Sequence, residues 1–129
     1  MTELLEGVVP YPPEDAQRYN HFRWWYGLPL GDVLDRAADV LPDKEAFVDD
    51  QTRLTFAQAR DMADRLALGL VEAGIKPLDR VLVQLPNWNE FVYVYFGLQK
   101  LGAIPVVLID RYRQFEIEHL GRLSGATAW

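Results

Sequence analysis

The chain has 129 residues, half of them hydrophobic and a quarter charged, which predicts one soluble globular unit. Its net charge of −6 argues against a nucleic-acid partner, and the basic clusters at 18–23 and 111–113 are short and interrupted by aromatic residues. The absence of cysteine excludes disulfides, thiolate catalysis and cysteine-ligated zinc, and it agrees with a predicted cytoplasmic location.

Neither a targeting segment nor a membrane span is predicted. The N-terminal stretch MTELLEGVVPYPPEDA is acidic and lacks the basic region of a signal peptide. The longest apolar stretches, FVYVYFGL and IPVVLI, fall far short of the roughly twenty residues that span a bilayer. The two histidines, His21 and His119, lie far apart and do not have the spacing of metal ligands.

Residues 1–29 are predicted to form an arm that precedes the unit at 30–129. The first thirteen residues are rich in proline and lack periodicity, so we expect them to be extended. Pro-Glu-Asp at 13–15 favours the start of a short helix. The Trp-Trp-Tyr run at 24–26 is interpreted as pinning the arm to the domain surface, with a ligand platform as the alternative.

The stretch GDVLDRAADVLPD predicts an amphipathic helix that ends at Pro42. Asp32 and Arg36 are expected to form an (i, i+4) ion pair on it. The following KEAFVDDQTRLTF predicts two short strands around a hairpin turn at Asp49–Thr52. The apolar face of the helix is expected to consist of Val33, Leu34, Ala37, Ala38 and Leu41.

The clearest helix of the sequence begins after Thr55, which forms a capping-box pattern with Gln58. Asp61 and Arg65 are expected to pair on its solvent face, and Gly74 is expected to end it in the left-handed conformation. Its buried stripe is expected to consist of Phe56, Ala59, Ala63, Leu66, Leu70 and Ala73.

The second half of the chain alternates strands with helices. VLVQL shows almost no polar alternation, which predicts a strand covered on both faces. NEFVYVYFGLQKLG contains strand-forming residues, but its apolar pattern continues to Gly102, which favours a buried helix capped by Asn87 or Asn89. AIPVVLID predicts another buried strand, and ATAW predicts the start of a further one.

RQFEIEHLGRLSG predicts the last helix, which is expected to end at Gly125 and to turn Phe115, Ile117, Leu120 and Leu123 inward. The order of elements predicts an α/β fold with a mostly parallel sheet and helices on both faces. Because the chain ends on the apolar Trp129, whereas termini are usually polar, the unit at 30–129 is expected to be an incomplete, N-terminal portion of a longer enzyme.

No complete active site is recognisable at the strand–helix junctions. They contain no Gly-x-Gly-x-x-Gly, Walker A or Gly-x-Ser-x-Gly motif, and Ser124 is the only serine. The junction PNWNE lacks glycines for close approach to phosphate, and Pro86 removes one donor, so it is interpreted as a structural junction. We assign no catalytic, cofactor-binding or metal-ligating residue within this chain.

Two alternative functions remain open at this point. Asp49, Asp50 and Asp110 follow predicted strands and could form a phospho-acceptor site like that of a receiver domain. Against this, the first two lead into a hairpin, and no lysine follows Lys100. The other alternative is a stand-alone α/β binding module. Such a module should unfold cooperatively as a monomer, whereas a fragment should self-associate through an open sheet edge.

The stretch from LTFAQA to GAIPVVL resembles the N-terminal region of adenylate-forming enzymes, the acyl-CoA synthetase and adenylation-domain superfamily. LTFAQA corresponds to the first core motif of that family, and LQKLGAIPVVLID corresponds to the second. GVVPYPPEDAQRY and VQLPNWNEF look most like the 2,3-dihydroxybenzoate–AMP ligase branch. The resemblance extends from about Gly7 to Trp129.

The resemblance implies a two-step ligase that uses ATP and Mg²⁺. A carboxylate would form an acyl-adenylate with release of pyrophosphate, and a thiol of CoA or a carrier protein would then displace AMP. The family's phosphate loop, Mg²⁺-binding glutamate and catalytic lysine all lie beyond Trp129, so this chain alone is expected to be inactive. Asp-Arg-Tyr-Arg at 110–113 replaces the Ser-His pair of the dihydroxybenzoate branch. Another aromatic or cyclic acid therefore fits as the substrate at least as well as 2,3-dihydroxybenzoate.

Overall fold

The computed structural model describes residues 7–129, so the first six residues of the expected arm lie outside the described residues. The elements over the described range are α1 (Pro13–His21), α2 (Leu30–Val40), β1 (Glu45–Val48), β2 (Arg53–Thr55), α3 (Phe56–Glu72), β3 (Arg80–Val83), α4 (Asn89–Leu101), β4 (Ile104–Val107) and α5 (Gln114–Ser124). The predicted order of elements is confirmed, including the helix over the ambiguous stretch at 89–101.

Strand β3 is the centre of a small parallel sheet. β4 pairs with it in parallel on one side, and Ala128 forms a parallel bridge to Val81 on the other. There the N–H of Leu82 donates to the carbonyl of Ala128 over 2.9 Å. The strand start predicted at ATAW is therefore confirmed. β1 and β2 form the predicted antiparallel hairpin as a separate two-stranded sheet.

Helices cover both faces of β3, as the unbroken apolar run predicts. Val81 and Val83 point to one face, where they join a buried cluster with Leu98 of α4. Leu82 points to the other face, towards α5. A methyl group placed on Gly121 would lie 3.6 Å from its Cδ1 atom.

Helices α3 and α4 approach closely because small residues lie where they meet. Ala59 and Ala63 of α3 are fully buried, and a Cβ atom on Gly97 would lie 3.1 Å from the carbonyl oxygen of Ala63. The predicted stripe of α3 is thus confirmed along its length, although Ala73 lies beyond the last helical residue and is exposed. Gly74, at φ +93°, forms the predicted left-handed end.

The predicted apolar face of α2 is partly wrong. Val33 and Leu41 are 53% and 45% exposed, whereas Gly31, Leu34 and Ala38 are buried. The buried positions recur at intervals of three and four residues, so they define a narrower stripe than the full set of apolar residues. The helix turns Gly31, Leu34 and Ala38 towards its neighbours and leaves Val33 in solvent.

The inward face predicted for α5 is also corrected. Phe115 and Leu123 are 81% and 74% exposed. Ile117 and Leu120 are partly buried, as expected, together with Gly121. Residues eight apart share a helix face, and the face of Phe115 and Leu123 turns away from the sheet.

The two ion pairs predicted within single helices do not form in the described range: Asp32–Arg36 and Asp61–Arg65. Arg60 instead pairs with Asp39 of α2 at 2.9 Å, and it approaches Asp61 at 3.8 Å. An exposed pair within one helix contributes only about 0.3–0.5 kcal/mol, which is little to hold two side chains in one geometry.

Lys100 ties α4 to two other helices, which the sequence analysis missed. Its Nζ donates to Oδ1 of Asp35 on α2 at 2.6 Å, and it also contacts the Asp64 carboxylate of α3. Burial disfavours the ammonium charge, but the hydrogen bonds to the two carboxylates outweigh burial and raise the pKa of Lys100 above its ordinary value. Gly31 permits this approach, since a Cβ there would lie 2.9 Å from Cγ of Lys100.

Substitution of Gly97 tests the close packing of α3 on α4. Gly97→Ala is expected to lower the free energy of unfolding by about 1–3 kcal/mol, because the added methyl meets a backbone oxygen that cannot move alone. Gly69→Ala is the matched control in α3, where an added Cβ meets nothing within 4 Å. Helix propensity predicts that the control gains about 1 kcal/mol. Urea unfolding measures both, and equal effects would contradict the packing argument.

Substitution of Lys100 tests the contact among three helices. Lys100→Met leaves two carboxylates without their shared cation, so it should lower the free energy of unfolding by about 1–2 kcal/mol, a value reduced for solvent screening. Lys44→Met, at an exposed position, should change it little.

The contribution of Lys100 should also depend on pH. Since folding raises this pKa, the stabilisation is fully present below the ordinary value of 10.5 and is lost as the pH rises through the folded value. The stability difference between the parent chain and Lys100→Met should therefore persist through neutral pH and shrink as strong alkali deprotonates Lys100. Shrinkage near neutral pH would contradict this assignment.

Candidate functional site

The candidate site is the loop between β3 and α4, at the carboxyl edge of the parallel strands, where open α/β folds bind ligands. Two cavities border it. The first, of about 750 Å³, is lined by Val48, Asp49, Asp50, Gln51, Thr52, Asn87, Trp88 and Glu90. The second, of about 700 Å³, is lined by Gln84, Pro86, Asp110, Tyr112, Arg113, Gln114, Ile117, Glu118 and Trp129.

Asp49 joins the hairpin turn to the start of α4 beside the first cavity. Its Oδ1 accepts hydrogen bonds from the backbone N–H groups of Gln51 (2.9 Å) and Thr52 (2.7 Å). Its Oδ2 accepts one from the N–H of Asn89 at 3.0 Å. The N-cap residue Trp88 supplies no side-chain cap. A carboxylate from a distant turn therefore provides both an acceptor and a negative charge at the helix N-terminus.

The predicted cap by Asn87 or Asn89 is wrong, because the side chain of Asn89 leaves its own helix. This residue is only 3% exposed. Its Nδ2 donates to the hydroxyl of Thr52 at 2.6 Å and to the Thr52 carbonyl at 3.3 Å. A buried amide needs such partners, and here they bind the loop to the hairpin.

The electrostatics of Asp49 follow from these contacts. Hydrogen bonds from the backbone N–H of Asn89, and then from those of Thr52 and Gln51, hold the pKa of Asp49 below its ordinary value. The group is therefore charged at neutral pH, and both of its oxygens already accept hydrogen bonds. This arrangement is typical of a structural carboxylate.

Gln84 organises the second cavity. Its Nε2 lies 2.9 Å from the carbonyl oxygen of Tyr112 and 3.2 Å from those of Ile109 and Asp110. A primary amide carries only two hydrogens, so the three carbonyls share them. Gln84, the one polar residue of the run VLVQL, thus fastens the segment that follows β4, a role that no local pattern in the sequence predicts.

The N-terminus of α5 at this cavity is occupied by its own chain. The backbone N–H of Arg113 donates to Oε2 of Glu116 at 3.0 Å. This hydrogen bond is the main cause that lowers the pKa of Glu116 from its ordinary value. The carboxylate takes the place at the helix start where an anionic ligand would otherwise bind.

The aspartates of the receiver alternative are not brought together. Asp49 and Asp50 line the first cavity, and Asp110 lines the second. Lys100 is engaged between α2 and α3. Within residues 7–129 there is no group of three acidic, histidine or cysteine side chains that could hold a metal ion. The geometry required for a phospho-acceptor site is therefore absent from the part of the chain that the structure describes.

The aromatic run of the arm does not pin it to the domain as predicted. No residue of α1 is buried, and Trp24 and Tyr26 are 63% and 76% exposed. The aromatic residues pack on one another instead, with the ring centroid of Tyr19 at 5.0 Å from that of Trp25 and 5.6 Å from that of Trp24. They form a separate cluster outside the main core.

None of the helices across residues 7–129 has both the length and the apolar character needed to cross a bilayer. The span that contains the sheet and both cavities also matches a known protein family. The family model described as AMP-binding enzyme matches residues 34–129. The chain belongs to this family. The resemblance seen in the core motifs is thereby confirmed.

Relatives extend the match to the arm. Triostin synthetase I of Streptomyces triostinicus is 46% identical over 98% of this chain, which is 24% of its own length. The 2,3-dihydroxybenzoate-AMP ligase of Bacillus subtilis is 37% identical over 98% of the chain and 23% of its own length. The chain thus spans about a quarter of these curated relatives.

The fold class is confirmed by a solved structure. The apo structure of Mycobacterium smegmatis MbtA superposes with a TM-score of 0.91 at 43% identity. The superposition covers 95% of this chain and 23% of that one. The α/β arrangement described here therefore also occurs as part of a much longer polypeptide.

Substitution of Asp49 tests the junction between the hairpin and α4. Asp49→Ala is expected to lower the thermal midpoint, because three backbone N–H groups lose their acceptor. Asp50→Ala, at the adjacent exposed position, should leave the midpoint nearly unchanged. Circular dichroism measures both, and equal shifts would contradict the assignment.

The effect of Asp49 should disappear in acid. Since folding lowers its pKa, its stabilisation is present above the ordinary value of 3.8 and is lost as the pH falls through the folded value. The midpoint difference between the parent chain and Asp49→Ala should narrow below that ordinary value. A difference that stays constant from about pH 6 to about pH 2 would contradict the pKa shift.

Proposed function

We propose that this chain is the N-terminal part of an ATP-dependent ligase that activates an aromatic or cyclic carboxylic acid. The supporting observation is 37–46% identity, over nearly the whole chain, to relatives named as synthetases and acid–AMP ligases. These include the salicylyl-CoA synthase of a Streptomyces species, at 41% identity over 95% of this chain.

In the proposed reaction a carboxylate oxygen attacks the α-phosphate of ATP, the bond to the β-phosphate breaks, and pyrophosphate leaves. A thiol sulfur then attacks the acyl carbon of the adenylate and AMP departs, which gives a thioester. Mg²⁺ would balance the phosphate charge when ATP is bound. Both CoA and a carrier protein fit as acceptors, since one relative is named a salicylyl-CoA synthase and another a salicyl-S-ArCP synthetase.

The junctions described within residues 7–129 do not favour a site for ATP and Mg²⁺ in this chain. The loop from Gln84 to Trp88 contains no glycine and includes Pro86, which lacks a donor. The N-termini of α4 and α5 are already taken by Asp49 and Glu116. We therefore assign no catalytic, cofactor-binding or metal-ligating residue here, and we propose that the chain contributes a scaffold.

The proposed organisation keeps the two predicted parts, an arm at 1–29 and an incomplete α/β subdomain at 30–129. The expected self-association of the isolated chain and its cytoplasmic location stay predictions. Asp-Arg-Tyr-Arg at 110–113, fastened by Gln84, favours an acid other than 2,3-dihydroxybenzoate. The names of the relatives still support an aromatic acid as the substrate class.

The purified 129-residue chain is expected to show no acid-dependent exchange of pyrophosphate into ATP. Salicylate and 2,3-dihydroxybenzoate serve as test acids with Mg²⁺ present, and the relative named salicyl-AMP ligase of Mycobacterium tuberculosis serves as the positive protein control. The expectation follows from the lack of a phosphate site in residues 7–129. Robust exchange above the protein-free blank would overturn the proposal that this chain is only a scaffold.

A further inference from the structure

The arm carries an exposed apolar surface that the proposed scaffold role does not use. We call it the aromatic face and define it as Tyr11, Phe22, Trp24 and Tyr26, whose exposed fractions range from 55% to 76%. No residue of the adjoining helix α1 is buried. The rings of Phe22 and Trp24 stack with their centroids 5.4 Å apart, so part of this exposed apolar surface is continuous. Such surface marks a site of interaction with another protein surface.

Contacts within the arm hold the aromatic face in place. The N–H of Trp24 donates to the Tyr19 carbonyl over 2.9 Å, and the ring centroids of Tyr11 and Trp25 are 4.9 Å apart in an edge-to-face arrangement. Arg23, which separates Phe22 from Trp24 in the sequence, has a φ of +55°. This conformation is uncommon for residues other than glycine. The cluster thus holds its shape before any partner covers it.

The charges beside the aromatic face favour an apolar partner. Arg18 pairs with Asp15 at 2.9 Å, and its guanidinium lies 5.3 Å from the centre of the Tyr19 ring. This cation is therefore already engaged within the arm. Arg23 is the other arginine of residues 7–29, and Glu14 and Asp15 balance the two arginines in number. A strongly acidic partner or a polyanion would therefore find no net positive charge there.

The arm is shared with relatives that are much longer than this chain. The match to the family begins at residue 34, so the arm lies outside it. The relatives at 37% and 46% identity nevertheless align over 98% of the chain. The MbtA superposition covers 95% of it, which leaves too few residues to exclude the arm. The arm and the subdomain therefore share one arrangement with a chain about four times as long.

We propose that the aromatic face is the docking surface for the part of the ligase polypeptide that lies outside these 129 residues. The proposal rests on the proposed function, because it takes the chain to be one part of a longer ligase. The arm then fastens this subdomain to the remainder by burying aromatic side chains, which carry large apolar area. Its partner is an apolar surface of the same ligase.

A graft with cysteine labelling tests the proposal. Residues 1–129 replace the matching segment of M. smegmatis MbtA, and Trp24→Cys is introduced both in this graft and in the isolated chain, which has no cysteine of its own. Maleimide labelling of that position is followed by peptide mass spectrometry. We expect labelling in the folded graft to be at least about tenfold slower than in the isolated chain, as burial at an interface requires.

Leu68→Cys is the matched control, since Leu68 is 67% exposed, close to the 63% of Trp24, and belongs to α3 and not to the arm. It should label at similar rates in both proteins. Equal slowing at both positions would reflect general inaccessibility and would contradict the proposal. Protection of Trp24→Cys in the isolated chain that grows with its concentration would identify a second copy as the occupant, and would also overturn it.

The same grafts separate this inference from the proposed function. A folded, exchange-active graft in which Trp24→Cys labels as fast as in the isolated chain overturns only the docking surface. If a graft of residues 34–129 folds and the full graft does not, the arm does not fit the remainder of the ligase. That result also overturns the docking surface. If neither graft folds or supports exchange, the segment does not replace its counterpart and the proposed function fails.

Discussion

The positions of α2, α3 and the parallel sheet depend on how closely each can pack against α4. Gly97 lets α3 lie so close that a Cβ atom on it would be 3.1 Å from a carbonyl oxygen of α3. Leu98 on the same helix is fully buried in the core beside β3. Lys100 then reaches two carboxylates on α2 and α3. Because α4 contacts the sheet on one side and two helices on the other, its position sets theirs.

Side chains from distant parts of the chain close the carboxyl edge of the parallel strands. The carboxylate of Asp49 accepts a hydrogen bond from a backbone N–H at the start of α4. The side-chain amide of Gln84 donates to a backbone carbonyl after β4. Both complete the hydrogen bonding that irregular backbone requires. Since they already satisfy groups that a phosphate or a metal would use, this edge agrees with the scaffold role proposed above. Under that proposal, the chemistry of an adenylate-forming ligase would come from residues outside this chain.

The sequence was informative wherever a local rule dominates. The capping box of Thr55 and Gln58 forms as predicted, and Gly102 ends α4 in the left-handed conformation. The order of strands and helices and the family resemblance followed from the apolar runs and core motifs. Local rules failed at Phe115 and Leu123, because a helix with apolar residues on two faces does not reveal which face meets the sheet.

Short-range periodicity and residue type were enough to predict the element order and the α/β class, and the sequence contains no Walker A or Gly-x-Gly-x-x-Gly motif. The partners of Asp49, Gln84 and Lys100 became known only from the folded arrangement. Each of them bonds to groups 25 to 65 residues away along the chain. Such pairings depend on which surfaces folding brings together, and no spacing within a helix or turn encodes them.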